Sequence, residues 1–226
     1  MPLLHFAAPD NENRHKLVVS LCDYSGRWLT GYREAGYSTV QFDRKHGDDL
    51  LDKARVIRAV RVAANQLLGM CTRVQVAVVL AAPPCTDFSV SGAQYWPAKD
   101  ADGRTDASLE VVDACLSVIK TLNPRVWALE NPVGRLPKLR PAIGKPWYFH
   151  PHEYAQYADD PEADRYTKRT GIWGTAAKPE PKGLDPIRVC AQGSWVQKLG
   201  GASARTKELR SMTPLGFARA FAIANP

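Results

Sequence analysis

Cys85 follows two prolines, Pro83 and Pro84, just past a continuous apolar run at Val74–Leu80. Such a run reads as a strand buried on both faces. A thiol held behind two fixed φ angles has little conformational freedom, as a nucleophile should. A lone cysteine is more often a small buried hydrophobe, and what favours chemistry here is a carboxylate in the matching place. Glu130 closes a second buried run, Val126–Leu129, and in an open α/β sheet the groups at neighbouring strand ends share one crevice. Two further strand ends carry polar groups. Leu17–Leu21 runs into Cys22-Asp23-Tyr24-Ser25-Gly26, and Tyr37–Phe42 ends at Asp43.

The elements that must hold these residues follow from apolar periodicity. Trp28–Ala35 reads as a helix stopped at Gly36. Leu50–Met70 reads as a long amphipathic helix with Leu51, Ala54, Ile57, Val60, Ala64, Leu67 and Leu68 inward and Arg55, Arg58 and Arg61 on the wetter side. A loop extends to about Gly103 and a further helix covers Ala107–Leu122. Strands alternating with helices predict an α/β fold with a doubly wound, mostly parallel sheet. Beyond Asn131 the prolines at 132, 137, 141 and 146 break this rhythm. Trp147–His150 and Thr170–Trp173 are expected as antiparallel edge strands, Lys178–Pro186 as a surface connection and Pro214–Ala224 as a terminal helix.

With 226 residues, 45% hydrophobic and 23% charged, the composition is that of one globular domain and excludes disordered or fibrous classes. The catalytic α/β unit is expected over about 15–175 and a basic segment over about 176–226. Five cysteines without a C-x-x-C pair argue against a disulfide framework and a structural zinc site. No apolar run approaches the roughly 18–20 residues of a membrane span, so a cytoplasmic monomer with no membrane partner is expected. His150 and His152 lack a third ligand, and no metal is expected. The net charge of +7 predicts a polyanionic partner. Residues 165–226 hold 11 Lys+Arg and 3 Asp+Glu, whereas residues 1–164 hold 19 and 20.

Together these residues resemble the C5-cytosine DNA methyltransferase family, and most of all its compact bacteriophage and prophage members. Pro-Pro-Cys-x-x-Phe-Ser-x-x-Gly at 83–92 is similar to the family's nucleophile loop, and Glu130-Asn131-Pro132 to its Glu-Asn-Val motif. The resemblance implies a Rossmann-like S-adenosylmethionine-dependent methyltransferase fold. It also implies a catalytic set of Cys85, Glu130, Asn131 and Arg169. Cys85 would add to cytosine C6, Glu130 would hydrogen-bond or protonate N3, Asn131 would orient the Cys loop, and Arg169 would contact the base or its phosphate. The cofactor S-adenosylmethionine would lie against Tyr24, Ser25, Gly26, Asp43 and Pro83. Asp48 or Asp49 would take the adenine amino group, or else cap the helix beginning at Leu50. Substrate contacts fall to Pro84, Phe88, Ser89, Lys168, Arg205 and Arg210, with Trp96 a further suspect, on double-stranded DNA whose cytosine is flipped out.

The sequence departs from the family's pattern in places. Trp28 stands where the first loop usually has its second glycine, with Arg27 beside it, so the methionine end of the cofactor site is expected to be built differently. Only Ala224-Asn225 stands for the motif that closes the cofactor pocket. About thirty residues separate Gly174 from Arg205, where typical members insert a recognition domain, and relaxed or very short sequence preference is therefore expected. The alternatives are C5 modification of RNA or a free nucleotide, and a catalytically inactive nucleic-acid-binding homologue.

Overall fold

The computed structural model describes residues 2–8, 10–70, 74–199 and 203–226. Its seven strands are β1 (Leu3–His5), β2 (Lys16–Leu21), β3 (Ser38–Phe42), β4 (Gln75–Ala81), β5 (Val126–Pro132), β6 (Trp147–Phe149) and β7 (Thr170–Gly174). They form one sheet in the order β1-β3-β2-β4-β5-β7-β6. β3, β2, β4 and β5 are mutually parallel, β1 is antiparallel to β3, and β7 is antiparallel to both β5 and β6. β2 and β4 are apolar and buried on both faces because helices cover the sheet from both sides.

The helices are α1 (Thr30–Glu34), α2 (Lys53–Leu68), α3 (Trp96–Ala101), α4 (Arg104–Leu122), α5 (Leu136–Leu139), α6 (Trp195–Lys198), α7 (Ala204–Ser211) and α8 (Leu215–Ala224). α2 and α4 pack on one face of the sheet, around Val19, Phe42, Val79 and Leu129. α8 and the Trp28–Tyr32 segment pack on the other, around Val18, Val78, Ala128 and Ile172. This is the doubly wound α/β layering expected from the sequence. No helix of the described residues is long and apolar enough to cross a membrane.

Several boundaries and faces differ from the expectation. The long helix begins at Lys53, capped by Asp52, and buries Val56, Val60, Ala63 and Leu67. That stripe is displaced from the expected one, so Leu51 and Leu68 are exposed. Both stripes are apolar in sequence, and packing against β3 and α4 chose between them. β1, α3 and α7 have no apolar periodicity to announce them. Of the two strands expected at an edge, β7 is interior and only β6 lies at the rim. β5 continues through Pro132, which places Glu130 and Asn131 inside the strand, paired with Ile172 and Gly171.

Candidate active site

From β2 the chain passes to β3 on one side, and β4 enters on the other, so the carboxyl ends of β2 and β4 diverge at a topological switch point. A cavity of about 200 Å³ opens there. It is walled by Cys22–Ser25 after β2, Asp43 and Lys45 after β3, Ala82–Cys85 after β4, Glu130 and Pro132 of β5, Lys168, and Glu208, Ser211, Met212 and Thr213 of the C-terminal segment. Eight of the residues expected at the site line it: Tyr24, Ser25, Asp43, Pro83, Pro84, Cys85, Glu130 and Lys168.

The loop after β2 turns at Cys22, a non-glycine residue with φ of 59°. Asp23 folds inward and accepts hydrogen bonds from Ser20 Oγ (3.0 Å), Ser25 Oγ (3.2 Å) and the Gly26 N–H (2.8 Å). Burial raises its carboxyl pKa, against the lowering effect of these bonds. Gly26 is left-handed, and a Cβ there would meet Gln41 Oε1 at 2.6 Å. This glycine therefore serves the turn and faces Gln41, not the cavity as expected.

The Cys loop is fastened from several sides. Asn131 is fully buried and donates through Nδ2 to the Pro83 carbonyl at 3.1 Å, a contact of the kind an orienting role requires. Lys99 of α3, itself buried, donates to the Thr86 carbonyl (2.6 Å) and pairs with Asp87 (3.2 Å). Ser108 of α4 donates to the other Asp87 oxygen at 2.6 Å, and Arg135 Nε donates to the Asp87 carbonyl at 3.1 Å. Arg135 is in turn held by both oxygens of Asp100, at 2.7 and 2.8 Å. A Cβ at Gly134 would overlap the Phe88 carbonyl oxygen, so the two segments touch through backbone.

Electrostatics inside the cavity oppose free charge. Burial pushes the Cys85 thiol pKa up and the Glu130 charge pushes it further, while Lys168 and Arg210 pull it down. Burial likewise raises the Glu130 carboxyl, with Lys168 opposing. A protonated carboxyl at this position can donate a hydrogen bond, and a thiol beside it becomes a nucleophile once its proton has left.

Other expected residues lie elsewhere. Phe88 is fully buried in the core and cannot touch a substrate. Arg169 points away from the cavity, its guanidinium 4.3 Å from the Tyr148 ring, because adjacent residues of extended chain face opposite ways and Lys168 takes the inward place. Asp48 is buried and accepts from the Asp43 N–H, and Asp49 accepts from the Leu51 N–H, so neither lines this cavity or caps the helix, which Asp52 does. Ser89 bonds Ser91 (2.9 Å), and Arg210 reaches the same Ser91 at 3.4 Å. Arg205 is exposed on α7. Trp28 is buried against Phe217 and Phe221 of α8 and does not obstruct the site, whereas Arg27 approaches Met212 Sδ (3.8 Å) at the cavity wall. Trp96 lies under the Arg135 guanidinium, and Asn225 bonds both backbone groups of Ala177, a structural clasp. Among the described residues no group of three or more His, Cys, Asp or Glu side chains could hold a metal ion.

Glu208, Ser211, Met212 and Thr213 at the cavity have no counterpart among the residues expected from sequence, nor do Lys99, Asp87 and Arg135 as its supports. A lysine and an aspartate twelve residues apart carry no sequence signal until α3 folds back on the loop. Comparison with protein-family models gives no match to this chain, and comparison with curated proteins gives no significant match either.

Proposed function

We propose that the chain is an S-adenosylmethionine-dependent methyltransferase acting at C5 of cytosine in DNA, with relaxed or very short sequence preference. One observation carries this reading: Cys85 and Glu130 face a single cavity at the switch point, beside the polar loop after β2. The donor set fits the cofactor. Asp43 at the end of β3 suits ribose hydroxyls, and the carboxylates of Asp43 and Glu208 with the Ser25, Ser211 and Thr213 hydroxyls suit a ligand bearing amino and hydroxyl groups. When bound, S-adenosylmethionine supplies an electrophilic methyl group.

The chain's own residues supply the rest. Cys85 loses its proton and adds through Sγ to cytosine C6. Glu130, whose protonated form burial favours, donates to N3 and takes up the charge developing on the ring. Lys168 stands beside both groups and favours the thiolate. Asn131 holds Pro83, and through it the direction of Cys85. The C5 carbon so activated would take the methyl group, and loss of the C5 proton to water with elimination of Cys85 from C6, Glu130 recovering the N3 proton, would complete the turnover.

Trapping with 5-fluorocytosine DNA tests the reading. The expected result is a covalent protein–DNA adduct that requires the cofactor and is lost in Cys85→Ser. Absence of an adduct from the intact protein, or methyl transfer by Cys85→Ser, would overturn it. Mass spectrometry of nucleosides from DNA exposed to the protein gives 5-methylcytosine on this reading, and its neighbouring bases measure the sequence preference.

A further inference from the structure

Residues 43–61 hold six Lys+Arg and four Asp, a near balance by count. Geometry uncouples them. Asp43 accepts from the Lys45 N–H (2.8 Å), Asp49 from the Leu51 N–H (2.9 Å) and Asp52 from the Arg55 N–H (2.9 Å). Asp48 is buried and accepts from the Asp43 N–H. All four carboxylates thus serve backbone turns and caps. The cations stay outside: Arg44, Lys45, Lys53, Arg55, Arg58 and Arg61 are all exposed, and α2 itself contains no carboxylate.

This differs from five other arginines of the fold. Arg104, Arg135, Arg140, Arg165 and Arg219 each hold a carboxylate at 2.6–2.8 Å, while none of the α2 cations has one within 4.0 Å among the described residues. The α2 cations are continuous with the site. Arg44 and Lys45 precede the helix, and Lys45 is at the cavity wall with its ammonium 4.1 Å from the Tyr24 ring.

We propose that the outer face of α2, continued by Arg44 and Lys45 to the cavity mouth, binds the phosphate backbone of double-stranded DNA flanking the nucleotide that enters the cavity. In naming DNA the proposal rests on the function proposed above. Lys53 to Arg61 covers about 12 Å of helix axis, about three phosphates of one strand at roughly 3.4 Å of axial rise each. A membrane surface fits less well. The contiguous apolar stripe of α2 (Val56, Val60, Ala63, Leu67) is buried against the sheet, and only the separated Val62 and Leu68 remain exposed, too few to make an inserting face.

The test is duplex binding by the full chain across a salt series, comparing the unaltered protein with Arg55→Gln/Arg58→Gln/Arg61→Gln. All three side chains are exposed, so thermal unfolding should be unchanged. The expected result is weaker binding at low salt and a log K versus log[salt] slope shallower by about 0.9 for each phosphate no longer neutralised. Unchanged affinity and slope would overturn the proposal. So would an effect confined to single-stranded RNA or to vesicles of anionic lipid. The outcome is separable from the methyltransferase reading: a shallower slope in a protein that forms no 5-fluorocytosine adduct supports the surface alone. An adduct with an unchanged slope supports the chemistry alone.

Discussion

The loops after β2 and β4 face each other across one cavity, yet they are held in different ways. Residues 22–26 are held mainly from nearby in the chain: one buried carboxylate, Asp23, collects the Gly26 N–H and the Ser20 and Ser25 hydroxyls, and Gln41 of β3 adds hydrogen bonds to the Asp23 and Tyr24 carbonyls. Residues 83–92 are fastened from outside by Lys99 of α3, Ser108 of α4, Asn131 of β5 and Arg135 beyond it. A turn held mainly by local bonds suits a wall that a ligand lies against. A nucleophile has to meet one atom at one distance, and restraints from several rigid elements hold it there better than local bonds.

The largest expected effect comes from Lys99→Met. It strands the Asp87 carboxylate in the interior, which should cost about 3–5 kcal/mol in denaturant unfolding, and 5-fluorocytosine adduct formation should slow at least tenfold. Adding Asp87→Asn removes the buried charge and should restore most of the stability. The Thr86 carbonyl still lacks its donor, so the adduct rate should stay low. Recovery of stability and rate together would show that the pair only holds the fold.

Asp23→Ala should cost less, about 1–3 kcal/mol for the unpaired buried donors, with weaker cofactor binding by calorimetry and an unchanged alkylation rate of Cys85 by iodoacetamide. Equal effects in both readouts would mean that the two loops are not independent.

The smallest effect on stability should come from Glu130→Gln, and it has the opposite sign. Burial raises the Glu130 pKa above its ordinary 4.5, so between the unfolded and folded values the native state holds the extra proton. Native stability is then fullest below the unfolded value and falls as pH rises through the folded one. Glutamine does not titrate. The melting temperatures of variant and unaltered protein should therefore diverge as pH rises toward neutrality, with the variant higher by about 2–4 °C for each kcal/mol recovered. Adduct formation should be lost throughout. A difference that shrinks with rising pH would place the ionised carboxylate in a favourable environment instead.

Much of this arrangement is legible along the chain because it is local. Continuous apolar runs mark β2, β4 and β5, and Pro83-Pro84-Cys85 and Glu130-Asn131 are visible at their ends. Of Lys168 and Arg169, both expected at the substrate, only Lys168 lines the cavity, since composition alone does not fix which of two neighbours faces in. Phe88, expected as a substrate contact, is the apolar anchor that seats the Cys loop in the core. The inward face of α2 differs from expectation because two overlapping stripes are both apolar, and only one meets β3 and α4.

The alternation of strands and helices, and with it the thiol and the carboxyl at two strand ends, can be read along the chain because apolar periodicity and proline act over a few residues. What surrounds them came from folding. Lys99 reaches the Cys loop and Glu208 reaches the cavity through folding that joins distant segments, and a side chain's partner across such a distance is set by packing, not by spacing. The same holds for charge: counting puts the positive excess in the C-terminal quarter, whereas the fold commits four aspartates to backbone turns and caps and leaves the cations of α2 exposed.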